Sequence, residues 1–132
     1  KEEIHVEDEA GIMHDESITI PAGVEVYEIN GPYFFGVATQ FEELMSDFRD
    51  KSKVRVIRMR KVPFIDSTGI HNLSNFCEMS FKNKIVVVLS GVNPQVHSAL
   101  HKAGFYDLVG EKNICPNINV ALSRAEEIMK GE

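Results

Sequence analysis

Cysteine is scarce in this chain. Cys77 and Cys115 are its only two, too few for a disulfide framework and without the paired spacing of a zinc site, which suits a reducing compartment. Long apolar runs are missing as well. The longest aliphatic one, Ile85 to Leu89, spans five residues where a membrane helix needs about twenty. The first residues lack the basic and then apolar character of a secretory leader, and Lys1 in place of Met reads as the start of an excised or processed piece. An excess of positive charge is also missing. The net charge is −6, and residues 1–16 alone account for it, with seven carboxylates against Lys1. Residues 17–132 therefore balance at zero, which argues against a nucleic-acid binder and against a polyanion. Two chemical signatures are absent too: no GxxxxGK[ST] phosphate loop occurs, and Ser67 has no Gly-x-Ser-x-Gly surroundings.

What is present is the pattern of one α/β domain of ordinary size, 132 residues long. Residues 1–16 read as an acidic flexible linker and 17–132 as the folded domain. Val24 to Asn30 alternates apolar and polar residues and stops at Gly31-Pro32, a half-buried strand ending in a turn. Val37, Phe41, Leu44, Met45 and Phe48 share one face of a helix expected over 37–50. A strand follows over Val54 to Met59, then a loop at Pro63 to Asp66. A second helix runs from about Ser67 to Lys82, with Ile70, Leu73, Phe76, Cys77 and Phe81 as its apolar stripe. Ile85 to Leu89 is apolar on both faces and reads as an interior strand. Asn93-Pro94 and Asn117 are N-terminal signals for two more helices, the first ending at Gly104. Strands alternating with helices need crossovers, so the sheet is expected to be small, mixed and mostly parallel, carrying four to five helices. Ser17 to Ile20 is the candidate for one antiparallel edge strand.

The loop before the second helix concentrates polar residues where backbone N–H groups are unpaired and the helix dipole is positive. Asp66, Ser67, Thr68 and Gly69 suit a helix cap by themselves: a capping carboxylate, two hydroxyls in the first turn, and a glycine that permits close packing. The same geometry favours a phosphate. Arg58, Arg60 and Lys61 precede the loop, and period two puts Arg58 and Arg60 on one face. They are candidates for contact with an anion or an acidic partner, or for pairing with helix carboxylates such as Glu42 or Asp47. His97 and His101 have the four-residue spacing of a metal pair but no adjacent third ligand, so no metal site is expected. Cys77 falls in a core stripe and reads as a small hydrophobe. With no nucleophile–base constellation, neither catalysis nor a cofactor is expected.

The stretch Phe64-Ile65-Asp66-Ser67-Thr68-Gly69-Ile70-His71 resembles the signature loop of STAS domains, which occur in sulfate transporters and anti-sigma factor antagonists. Residues 23–27, the run Asn30-Gly31-Pro32-Tyr33-Phe34-Phe35-Gly36, Gly104-Phe105 and Gly110 to Ile114 are similar to the SulP transporter branch. The resemblance covers roughly residues 18–130. It implies a non-catalytic regulatory domain at the cytoplasmic face of the inner (plasma) membrane. The parent would be an anion transporter of the sulfate, bicarbonate or dicarboxylate class. Its partners would be the membrane domain of the same transporter and a soluble cytoplasmic regulatory protein. Any nucleotide binding would be weak, and no nucleic acid would bind. The alternative implied by the other branch is a free-standing antagonist-like signalling protein switched by phosphorylation at Thr68. In that branch the modified hydroxyl occupies the position of Thr68, preceded by Asp66 and Ser67. Tyr33, Phe34 and Phe35 suit either a contact surface or a plug under the sheet.

Overall fold

The structure, a computed structural model, describes residues 2–4, 18–30 and 52–131. The helix expected over 37–50, the aromatic stretch at 33–35, and Glu42 and Asp47 lie outside the described residues. Six strands are described: β1 (Glu2–Ile4), β2 (Ile18–Ile20), β3 (Val24–Asn30), β4 (Val54–Lys61), β5 (Val86–Ser90) and β6 (Ile114–Cys115). The helices are α1 (Ser67–Lys82), α2 (Pro94–Lys102), α3 (Phe105–Val109) and α4 (Ile118–Met129), with a short 3-10 turn at Glu111–Asn113.

Strands β3, β4, β5 and β6 lie side by side in chain order, and every pair is parallel. This is the α/β architecture expected from the alternation of strands and helices. Period two along β4 sorts its apolar side chains between two cores. Ile57 and Met59 join Leu73, Phe76 and Cys77 of α1, Val96 and Leu100 of α2, and Phe105 and Val109 of α3. Val54 and Val56 join Val24, Val26 and Val88 under Ile118, Ala121 and Ala125 of α4. The sheet is thus covered on both faces, which is why β5 can be apolar on both of its sides. Phe105, almost completely buried, contributes on the order of 2–3 kcal/mol by leaving water.

Two expectations change at the N-terminal side. Ile18–Ile20 is a strand, but it pairs antiparallel with β1 in a two-stranded sheet of its own and does not extend the parallel sheet. Its partner Glu2–Ile4 lies inside the stretch read as a linker. The charge count that suggested a linker speaks only for side chains, whereas strand pairing uses backbone N–H and C=O groups. Elsewhere, β6, α3 and the 3-10 turn are elements that the sequence pattern does not announce. Each is too short for hydrophobic periodicity to register.

Helix α1 matches its expected bounds. Its C-terminus closes in a Schellman arrangement, with Lys84 N–H donating to Phe81 O at 2.9 Å and Ile85 N–H donating to Ser80 O at 2.8 Å. The motif needs a left-handed residue after the cap, and here that residue is Lys84 at φ +63°. A side chain in this conformation costs about 1–2 kcal/mol, part of which glycine returns through its larger unfolded-state entropy. Lys84 is exposed and its side chain makes no described contact. Lys84→Gly is therefore expected to stabilise the domain by about 0.5–1 kcal/mol, measured as a higher urea midpoint at unchanged slope.

Candidate functional site

In a parallel sheet, the connections that leave the carboxyl ends of the strands collect at one edge. Here three of them, Val62–Asp66, Gly91–Asn93 and Pro116–Asn117, each lead into a helix. Each helix opens on a side-chain cap of the same chemistry. Asp66 accepts from Gly69 N–H at 2.8 Å, Asn93 from Val96 N–H at 2.8 Å, and Asn117 from Val120 N–H at 2.9 Å. These are short polar side chains that satisfy N–H groups the helix leaves unpaired.

The first two connections are tied together. While its Oδ1 caps α2, Asn93 donates from Nδ2 to Val62 O at 3.0 Å and Pro63 O at 3.1 Å. One asparagine thus fixes the start of α2 against the loop that leads into α1. Gly91 allows this proximity: its φ is +74°, and a Cβ there would sit 3.0 Å from Arg60 Cβ and 3.2 Å from Arg60 Cα and N. Gly91 N–H also donates to Cys115 O at 3.0 Å, which joins the third connection to the second.

Within the α1 loop, Val62 and Ile65 face in, while Pro63, Phe64 and Asp66 are exposed. Ile65 is buried and anchors the loop to the core, while Phe64 is 46% exposed. Asp66, Ser67 and Thr68 are exposed and Gly69 is buried. No described hydrogen bond engages the hydroxyl of Ser67 or Thr68, so both are presented to solvent in the first turn of α1.

The cations that precede the loop are arranged differently from the expected margin. Arg58 is only 4% exposed, because β4 is an interior strand with β5 reaching as far as Ser90, its register partner. Arg60 and Lys61 run past the end of β5, and both engage Glu28 of the neighbouring strand. Arg60 Nε lies 3.1 Å from Oε2 and Nη2 3.4 Å from Oε1, and Lys61 Nζ lies 3.6 Å from Oε2. Consecutive strand residues normally point to opposite faces. A register shift between Glu28 and Asn30 puts an extra β4 residue opposite β3, and this bulge lets both cations reach one carboxylate. The Glu28 side chain is fully buried beneath them. Sequence reading passed over Glu28 as one polar position of an alternating strand.

A second buried cation was missed altogether. Arg55 is 5% exposed and is surrounded by partners: Nε meets Glu25 Oε1 at 3.2 Å, Nη1 donates to Ser80 Oγ at 2.8 Å, and the guanidinium stands 5.6 Å from the Phe76 ring centre. Ser80 in turn donates to Phe76 O at 2.9 Å. These contacts satisfy a charge that would otherwise be costly to bury.

Little of this suits bond-breaking chemistry. Burial first, and Glu78 second, push the Cys77 thiol far above the range in which it would be a thiolate. His97 and His101 are held edge-on to the Tyr106 ring, with centres 5.0 and 5.2 Å apart. Among the described residues no three His, Cys, Asp or Glu side chains are grouped to hold a metal ion.

Residues 17–121 match the family model for the STAS domain. The chain belongs to the STAS domain family. It is similar to transporter members of the family. A sulfate transporter family protein from Wolinella succinogenes is 40% identical, with a TM-score of 0.79 over 86% of this chain and 93% of that one. The SulP transporter STAS domain from Vibrio cholerae is 37% identical, with a TM-score of 0.80 over 86% of this chain and 89% of that one. Sulfate transporter 1.1 of Arabidopsis thaliana is 31% identical over 68 residues, 52% of this chain. The chain spans 10% of the length of that plant protein, and 17% of a Bacillus subtilis relative named for sulfate transport. A chain of the stressosome, a signal integration and transduction hub, shares the STAS fold at 22% identity and a TM-score of 0.67. Among the described residues no helix is long and apolar enough to cross a membrane.

Two substitutions check this STAS edge. Asp66→Ala removes the α1 cap and is expected to cost about 1 kcal/mol while leaving the fold intact, read by urea denaturation and far-UV circular dichroism. Gly91→Ala is expected to cost about 2 kcal/mol or more, because left-handed strain adds to a contact with the Arg60 backbone that cannot give way. The same denaturation series would show a cost below that of Asp66→Ala if the approach of Gly91 to β4 were unimportant.

Proposed function

We propose that this domain is a non-catalytic regulatory module of a SulP-type anion transporter, carried on the cytoplasmic face of the membrane. Its contact surface is the α1 edge, switched by charge at Thr68. One observation carries this reading: the Ser67 and Thr68 hydroxyls are solvent-exposed in the first turn of α1, on a loop braced by Ile65, Asp66 and Asn93. Such a loop accepts a modification without rearranging. A phosphate on Thr68 gains from the helix dipole, worth about 0.3–1 kcal/mol at an exposed site. It is opposed by the neighbouring Asp66 carboxylate. The two effects are of similar size, so folding is nearly indifferent while the surface becomes strongly more negative.

The likeness at 37–40% identity to transporter members supports the SulP assignment over a free-standing antagonist. The membrane domain of the same transporter and a soluble regulatory protein are the partners this reading names.

The test compares Thr68→Glu with Thr68→Ala. Both isolated domains are expected to melt within a few degrees of the unsubstituted one, since an exposed substitution usually changes stability by about 0.5 kcal/mol or less. In the full-length protein, sulfate uptake is expected to change with Thr68→Glu and to persist with Thr68→Ala. Equal uptake in all three would leave the loop as a helix cap and nothing more.

A further inference from the structure

On the opposite edge of the sheet from β3, a cavity of about 400 Å³ opens between β6, the 3-10 turn before it and the outer side of α4. That volume lies at the small end of the range for ligand sites, about 300–1,000 Å³. Its lining is Lys112, Cys115, Val120, Ser123, Arg124 and Glu127. The lining meets the α1 edge only through backbone groups, the Cys115 carbonyl that accepts from Gly91 and the Val120 N–H that Asn117 caps.

The lining divides by chemistry. Cys115 and Val120 supply an apolar surface, and Val120 is 43% exposed, unusual for a valine on a helix that covers a sheet. Burial pushes the Cys115 thiol up, so this surface carries no negative charge. Around it stand two cations. The Arg124 guanidinium is held in a fixed plane: Nε donates to Asn113 Oδ1 at 2.7 Å and Nη1 meets Glu127 Oε1 at 3.0 Å. Asn113 is itself buried and donates to Val109 O at 2.8 Å, so the support behind the guanidinium is rigid. Lys112 is exposed and has no ion-pair partner among the described residues. The Ser123 hydroxyl likewise has no described partner. Glu127 offsets one of the two cations, which leaves the rim with a single positive charge.

We infer that this cavity is a binding site for a small organic anion: a phosphomonoester or carboxylate with a compact apolar body. The apolar body rests on Cys115 and Val120, and the anionic head meets Lys112, Ser123 and the pre-positioned Arg124. A planar guanidinium suits either oxyanion. The apolar surface distinguishes such a ligand from a bare inorganic ion, which would gain nothing from it. The site stands apart from the Thr68 loop, so the two readings succeed or fail separately.

The experiment titrates the isotopically labelled 132-residue chain with phenyl phosphate, and separately with inorganic phosphate, while following backbone amide resonances. Saturable shifts are expected at Lys112, Cys115, Ser123 and Arg124, with phenyl phosphate bound at least about tenfold more tightly than inorganic phosphate. Lys112→Glu is expected to weaken phenyl phosphate binding by about tenfold or more. Should that reversal disturb the fold, Lys112→Gln and Ser123→Ala are expected to weaken it to a smaller degree with an unchanged amide spectrum elsewhere. Val120→Ser is expected to reduce the preference for phenyl phosphate over inorganic phosphate. The inference is overturned by the absence of saturable shifts up to roughly 10 mM probe. Shifts confined to Ser67–Gly69, equal binding of the two probes, or binding indifferent to all the Lys112 and Ser123 variants would overturn it too.

Discussion

Strand β4 has no exposed side until its last residues, and the rest of the domain is arranged around that enclosure. It is flanked by β3 and β5 and covered by helices on both faces, so any polar side chain on it must find a partner inside the protein. Two arginines sit on this strand in positions that are almost completely buried. Arg55 is met by a carboxylate from the next strand, a hydroxyl from α1 and an aromatic ring, which together turn a cation into a fastening between layers. At the other end, the bulge gathers Arg60 and Lys61 onto the buried Glu28 carboxylate, so charge stands at both ends of the seam between β3 and β4, with Val26, Tyr27, Val56 and Ile57 between. Apolar residues would bury this surface with less desolvation, but they would specify register less strictly. A one-residue slip would leave each of these charges without its mate.

The order of the strands accounts for the position of the α1 edge. Because β3 to β6 run parallel and in sequence, α1, α2 and α3 fall on one face, and the helix starts gather beyond the strand ends. A surface assembled from several connections is only as well defined as the ties between them. Here the ties are backbone and amide hydrogen bonds, from Asn93 to the α1 loop and from Gly91 to Cys115. This is how loops that would otherwise move independently come to share one framework.

Much of this was legible from residue order alone, for local reasons. The bounds of α1 follow from Asp66 as cap and an apolar stripe of helical period. Asn93-Pro94 and Asn117 announce their helices in the same way. The likeness of residues 64–71 to the STAS loop pointed to the family that the match over 17–121 then showed. Features that depend on distant residues were not legible. Nothing local marks Glu28 as the mate of Arg60 and Lys61, because the bulge that unites them belongs to the pairing of two strands. Nothing local marks the partners of Arg55 either, because Glu25 and Ser80 lie far along the chain on β3 and α1. Strand β6, at two residues, leaves almost no pattern to read, yet it forms one wall of the cavity beside α4.

The double role of Asn93 bears on how the α1 edge would be recognised. One side chain caps α2 and holds the carbonyls of Val62 and Pro63, so the relief of this surface is set by a bracket rather than by the mobility of a loop. A rigid relief can be altered in charge without being altered in shape. Any protein that docks there would meet the same contour before and after a change at Thr68, and would sense the difference through long-range attraction or repulsion. Discrimination of that kind acts mainly on the rate of encounter and fades as salt is added, whereas discrimination by shape would act on the lifetime of the complex and resist salt.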